Sequence, residues 1–442
     1  MEALPLMTEP RSLLNDVISV FSSKMVVLVL TFIGSVILAR ALSAEGRGIL
    51  AAALIYPQLL LAITEGGMRQ AAIYFIGQKK AKEADILGAL ISYTIVASII
   101  GAFIVYSLML WFGSDYFDNA MMIVTALILP TSLAVNALKG VFLGHQNIQS
   151  FNRISWVQKL FYVGCIFILY LVDQLTIFSA ILATALAALF NLIQAIIYLK
   201  KENQLTISFN KSTLFNMLKI GVVYAVAFFL ITANYKIDIF LLGLLTTPEQ
   251  IGNYVIAVQI GELAWQLPAA VIVVMFAKSA NSKGDVLVQQ ICQASRLTIT
   301  VTLFILLGLL FVSFFMIIPI FGEDYQLAYH MLLWLAPGLL LATIFKSTNS
   351  YFAGQGKPSY SIIIMGIAVS ANIALNYVFI PSYGAKGAAM ASSISYALSA
   401  IISLYFFTSK TKSKVVDVLI INKKDITLCI KILKNKLGRN VK

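Results

Sequence analysis

Charge is what this sequence has least of. Only 12% of its 442 residues are Asp, Glu, Lys or Arg, about half of the roughly 25% that covers a soluble domain. With 60% hydrophobic residues and a mean hydropathy of +0.89, the chain has to be solvated by lipid. Histidine is also scarce: His145 and His330 are the only two, and no Cys/His group has metal-ligand spacing. No GxxxxGK[ST] loop is present, so the chain holds no nucleotide engine of its own. The three cysteines are Cys165, Cys292 and Cys429. By the spans below they lie inside the membrane or on its inner side, where no structural disulfide is expected. No polar interval is long enough for a soluble domain. These absences exclude most soluble enzyme classes and a primary pump, and point to a transporter.

What is present is a series of long apolar runs. A hydrocarbon core about 30 Å thick needs ~20 apolar residues per helix. Twelve runs qualify, at about 16–39, 49–76, 85–112, 120–144, 154–172, 176–199, 215–245, 251–277, 297–320, 327–353, 359–380 and 387–408. The first is expected to be a retained helix, because no small-residue cleavage pattern follows it. An even count puts both ends on one side. The net charge of +13 would suggest nucleic acid in a soluble protein, but here its placement fits the positive-inside bias. With the N-terminus inside, the inner segments hold Arg11, Lys79, Lys80, Lys82, Arg153, Lys200, Lys201, Lys211, Lys219, Lys278, Lys283, Arg296, Lys357 and ten tail cations from Lys410 onward. The outer segments hold only Arg40, Arg47 and Lys386, against Asp115, Asp118, Asp173, Glu249, Glu323 and Asp324.

The polar stretch from Lys200 to Lys219 divides the chain into halves of six spans. The expected organisation is an all-α membrane protein with lobes at 1–205 and 206–410 and a basic tail at 411–442. The halves echo each other. Gly48 and Gly252 each open an even-numbered span, and Pro130 and Lys139 match Pro337 and Lys346 at an offset of 207. Phe142-Leu143-Gly144 matches Phe352-Ala353-Gly354 at 210, and Ile181 to Thr184 matches Ala389 to Ser392 at 208. Six spans per half make this a parallel repeat, which places a substrate site between the halves. Pro57, Pro130, Pro268 and Pro337 fall inside spans and are expected to let those helices bend. From Val415 to Leu437 the tail mixes apolar residues with Lys423, Lys424, Lys431, Lys434 and Lys436. It reads either as an amphipathic helix on anionic lipid or as a solvated basic tail.

Ionisable residues inside spans cost several kcal/mol unless they face protein or water. Here they are Lys24, Glu65, Arg69, Lys139, Lys159, Lys236, Asp238, Glu262 and Lys346, with cations outnumbering acids. At 1.5 Å per residue, Lys24 lies roughly 6 Å inward of its span's centre, and Arg69, Lys139 and Lys346 about 10 Å or more inward. Lys159 is also inward and Lys236 slightly outward. Two readings are open: lysines that snorkel to lipid headgroups, or a shared cationic basin suited to an anionic headgroup such as pyrophosphate. Arg69 follows Glu65 by one turn on the same face, which also fits a structural ion pair. Glu262, near mid-bilayer beside Gly261 and Trp265, reads as a proton carrier or a hydrogen-bonding group. Asp238 and Glu65 are the other candidates for ion coupling, with H+ or Na+ as the ion.

Three segments carry a family likeness. One runs Ile37-Leu38-Ala39-Arg40-Ala41-Leu42-Ser43-Ala44-Glu45-Gly46-Arg47-Gly48 and continues to Ala72-Ile73-Tyr74-Phe75-Ile76-Gly77. A second is Leu375-Asn376-Tyr377-Val378-Phe379-Ile380-Pro381 with Gly384, Gly387-Ala388-Ala389 and Ala391-Ser392. The third is Tyr235-Lys236-Ile237-Asp238 through Leu242-Gly243 to Gly252-Asn253-Tyr254. The chain resembles the polysaccharide-transporter family, the Wzx-type O-antigen flippases of the MOP superfamily, which also holds the multidrug MATE exporters and the lipid II flippases. The lipid II flippases typically have two further spans. The resemblance implies two six-helix lobes around a central cavity, no cofactor, and a bacterial cytoplasmic (inner) membrane location. It implies translocation of an undecaprenyl-pyrophosphate-linked oligosaccharide from the inner to the outer leaflet, beside the polymerase and glycosyltransferases of a lipopolysaccharide or other surface-polysaccharide pathway. It supplies no fixed site motif, so the site residues rest on the intramembrane charges. A MATE-like ion-coupled exporter is the alternative within the fold, and a membrane glycosyltransferase or scaffold the alternative outside it.

Overall fold

The structure is a computed structural model. It describes residues 10–113, 116–201, 206–266 and 284–422, together with Asp425 and a few positions between 268 and 279, with side chains from residue 22 onward. The described residues are helical throughout apart from short turns and connectors. Among the described residues, ten helices are long and apolar enough to cross a membrane.

The first of these holds two spans. Helix α1 runs from Pro10 to Thr64, 55 residues, or about 80 Å at the helical rise. That is more than twice the hydrocarbon thickness. It bends at Ser43, whose φ of 59° and ψ of 179° are not helical. The chain then turns through Gly66 and Gly67, both at positive φ, and resumes as α2 (Met68–Gly77). The second span is therefore two half-helices. The glycines make the break, because they adopt left-handed backbone freely. Pro57 remains inside α1, as do Pro130 and Pro337 inside the fourth and tenth spans. The break in span 2 thus falls at Gly66 and Gly67, beyond Pro57, a feature the proline reading did not include; Pro268 lies in a stretch only partly described.

Next come α3 (Glu83–Phe112), α4 (Asn119–Gly144), α5 (Ile148–Leu171), α6 (Ile177–Lys201), α7 (Lys211–Leu245) and α8 (Pro248–Glu262). After a 3-10 turn at Leu263–Trp265, the described helices are α9 (Asp285–Phe321), α10 (Gln326–Gly354), α11 (Ser359–Tyr383), α12 (Ala385–Thr411) and the short α13 (Val415–Leu419). With α1 counted as two spans and α8 opening another, the twelve-span reading holds.

Contacts divide the chain into two compact units, Met1–Gly252 with Ile320–Asp324, and Asn253–Pro319 with Tyr325–Lys442. In the first unit α1 packs on α5 and α7, and α4 packs on α2, α3 and α6. Its core joins Met68, Phe75, Leu90, Phe142, Ile154 and Met217. Between α2 and α4 the approach is close, since a Cβ on Gly140 would lie 2.9 Å from the Arg69 carbonyl oxygen. In the second unit α12 packs on α10 and α11. That interior is rich in small polar side chains: Thr343, Ser347 and Thr348 on α10, Asn372 and Asn376 on α11, and Ser392, Ser395, Ser399 and Ser403 on α12, all buried. Small hydroxyls permit close helix contact and bond across it, where lipid offers neither drive nor partners.

Candidate functional site

The first unit gathers three of the ionisable residues at the broken second span. Glu65 follows the last residue of α1 and Arg69 is the second residue of α2, so the glycine break lies between them. Arg69 Nε is 3.0 Å from Glu65 Oε1. The other carboxylate oxygen, Oε2, accepts from Asn136 Nδ2 of α4 at 3.1 Å. Lys139, one turn further along α4, lies within electrostatic reach of both Arg69 and Glu65. The Gly140 crossing is what allows this, because it brings the α4 backbone against Arg69. The break itself is held by Tyr93 of α3, whose hydroxyl donates to the Thr64 carbonyl at 2.9 Å.

A cavity of about 180 Å³ opens here, lined by Glu65 and Arg69 with Gln58, Gln70, Phe228 and Thr232. Two cations and one carboxylate leave a surplus positive charge beside it. Lys236 follows Thr232 by one turn of α7 and so continues the same face. Asp238, two positions on, is turned elsewhere and buried, with its Oδ1 accepting from the Ile239 amide at 2.8 Å. Lys24 is exposed on α1 beside the α1–α5 seam, where Ser23 Oγ donates to the Asn152 carbonyl. It does not share the Arg69 cluster.

In the second unit Lys346 and Glu262 come together. Lys346 Nζ lies 3.7 Å from the centroid of the Trp265 ring, a cation–π contact, and within electrostatic reach of Glu262. Trp265 is fixed by its Nε1 donating to the Leu339 carbonyl at 2.9 Å. The spacing Glu262-x-x-Trp265 puts both on one helical face, a signal present in the sequence.

Two features were less legible. Asn136 looks like any polar residue in a span until the fold shows it bonding Glu65. Lys159, expected near the inner end of its span, is the twelfth of the 24 residues of α5. Its ammonium lies 5.0 Å from the Tyr162 ring centroid and within electrostatic reach of Arg47. Arg47, expected in an outer loop, reaches inward to Ser35 Oγ at 3.4 Å.

Comparison with known proteins places the chain in a family. A family model described as polysaccharide biosynthesis protein matches residues 13–276, more than half of the chain. The chain belongs to that family. One curated relative, the "Probable low-salt glycan biosynthesis flippase Agl15" of Haloferax volcanii, is 24% identical over 402 residues, covering 86% of this chain and 80% of its own. Among solved structures, the inward closed conformation of the lipid II flippase MurJ aligns with a TM-score of 0.72 at 17% identity, over 90% of this chain and 88% of that one. An inward-facing multidrug resistance MATE transporter of the MOP superfamily aligns at 0.66 and 17%, over 90% and 98%. A MOP superfamily transporter from Pyrococcus furiosus aligns at 0.62 and 16%, over 90% and 95%. The fold of this polysaccharide biosynthesis family member is therefore the MOP fold, and the chain is a multi-pass membrane protein.

Proposed function

We propose that the chain is a flippase for a lipid-linked oligosaccharide, carrying it from the inner to the outer leaflet of the cytoplasmic membrane by alternating access. The observation that carries this is the Glu65–Arg69–Lys139 cluster beside its cavity: a net positive, partly buried site on a broken span suits an anionic headgroup. The polyprenyl pyrophosphate of a glycan carrier such as undecaprenyl-pyrophosphate provides one, with Lys24 and Lys236 as further cations. The name of the Haloferax volcanii relative supports the glycan. Coupling to H+ or Na+ would use Glu65, Asp238 or Glu262, and the product would serve surface-polysaccharide synthesis, O-antigen included. The MATE-like fold favours a second reading, export of small molecules. Exporters of cationic drugs favour acidic interiors, and the cation excess argues against it. The deciding experiment is leaflet translocation of a pyrophosphate-linked oligosaccharide by purified protein in vesicles. Transport of that lipid, but not of cationic dyes, supports the flippase; the reverse pattern overturns it.

A further inference from the structure

The last described residues reach back to α9 and are buried there at Val418 and Asp425, while Lys412, Lys414, Val415 and Val416 stay exposed. Helix α9 is 37 residues long, about 55 Å, so part of it extends beyond the hydrocarbon core. By the charge pattern, that part is its N-terminal end. There Arg296 and Asp425, 129 positions apart, form a buried ion pair. Arg296 Nε is 2.6 Å from Asp425 Oδ2 and Nη2 is 3.1 Å from Oδ1, a two-pronged grip. Gln293 Nε2 adds a bond to Oδ1 at 2.9 Å, and the Asn422 amide one to Oδ2 at 3.1 Å. The third arm of the guanidinium, Nη1, donates to the Asp417 carbonyl. Between these points Val418 is fully buried, in a core with Leu287, Ile291, Phe352 and Phe407. The segment thus straps the ends of α9, α10 and α12 together.

Two observations make this strap releasable. First, it bridges more than it packs. A cavity of about 540 Å³ lies beneath it, lined by Gln289, Gln290, Gln293 and Asn422 among others. A largely exposed segment, held by the Arg296–Asp425 pair with its neighbouring hydrogen bonds and by Val418 with Leu419 over a polar cavity, belongs to the low-stability end of a fold. Second, from Lys410 onward the sequence holds ten cations and only two acids, Asp417 and Asp425. Both acidic residues are engaged at the dock, Asp425 through its carboxylate and Asp417 through its backbone carbonyl. The cations remain, and they favour an anionic lipid surface.

We infer that residues 413–422, with Asp425, form a strap that exchanges between this dock on α9 and an anionic membrane surface. Release frees the α9, α10 and α12 ends from one another. Cys292 reports the exchange. It is 4% exposed, and its sulfur lies 3.9 Å from Ser413 Oγ, under the strap. In a Cys165→Ser/Cys429→Ser background, Cys292 is labelled with a membrane-impermeant maleimide in nanodiscs of neutral phosphatidylcholine and of phosphatidylcholine with phosphatidylglycerol. The neutral discs should give slow labelling, and phosphatidylglycerol should raise the rate about tenfold. Asp425→Asn should raise it about tenfold in neutral discs, because it removes one charge-assisted partner of Arg296. Equal rates in the two lipids overturn the exchange whatever the variant does. An unchanged rate for Asp425→Asn, in protein that elutes as a single species, overturns the dock.

Discussion

Gly48 and Gly252 meet backbone to backbone. A Cβ on Gly48 would lie 1.7 Å from the Pro248 carbonyl oxygen and 3.0 Å from the Gly252 nitrogen; one on Gly252 would lie 1.9 Å from the Ala44 carbonyl oxygen. In the sequence these are the glycines that open corresponding spans of the two halves. In the fold the same positions form a direct contact between α1 and α8. Neither side can yield, because both obstructing atoms belong to main chain. Gly252→Ala and Gly48→Ala should each force these helices apart, with a cost of several kcal/mol of the kind seen on overpacking a tight site. Thermal unfolding of the purified variants measures it. A midpoint within a degree or two of wild type would show that the crossing is looser than described.

Arg69 and Lys139 should be more sensitive than Lys24. A charge-assisted hydrogen bond to a headgroup contributes roughly 1.5–3 kcal/mol, so Arg69→Ala or Lys139→Ala should weaken pyrophosphate-lipid binding about 10- to 100-fold. Lys24, exposed and apart from the cluster, should lose less. Binding by each variant at equal protein level, with surface-polysaccharide complementation alongside, tests the order. If both cluster variants bind normally, the cavity is not the headgroup site.

Glu262 and Lys346 should behave as a unit. Lys346→Met keeps the stem against Trp265 but removes a cation within electrostatic reach of the half-buried Glu262 carboxylate, and removing one of two interacting charges costs more than removing both. Lys346→Met alone should therefore destabilise more than Glu262→Gln/Lys346→Met. The expected coupling in a double-mutant cycle is about 1 kcal/mol. Additive effects would separate the two residues.

Acid should leave the tail in place across the physiological range. Burial pushes the Asp425 carboxyl up, but its hydrogen bonds from Arg296, the Asn422 amide and Gln293 hold it below its ordinary value of 3.8. A depressed carboxylate stabilises the docked state above that value and loses the contribution only as pH falls through the depressed one. Spin labels at the exposed positions Val286 and Val415 should therefore keep one separation in neutral lipid between about pH 5 and 8. A transition inside that window would place docking under a different group.

The fold was legible because lipid imposes length and apolarity on every span. Glu65 with Arg69 was legible as a pair, although the contact is made across the glycine turn and not along one continuous helix. What the sequence hides is register between helices. Asn136 reaches Glu65 only because Gly140 lets α4 approach, and Lys24 is exposed beside the α1–α5 seam. The prolines drew attention from Gly66 and Gly67, which break span 2. Arg47 reads as a loop residue until its long stem is seen to carry the charge inward to Ser35.

That break has a mechanical consequence. The half of span 2 before the joint is fixed at Gly48, and the half after it is fixed to α4 where Gly140 and Gly144 meet Arg69 and Ile76. Gly221 of α7 seats against the joint, since a Cβ there would lie 2.4 Å from the Gly66 carbonyl oxygen. Glu65 travels with the first half and Arg69 with the second. Any change in the angle between the halves changes the separation of these two charges, so tilting span 2 resets the electrostatic potential of the cavity without a side chain having to turn.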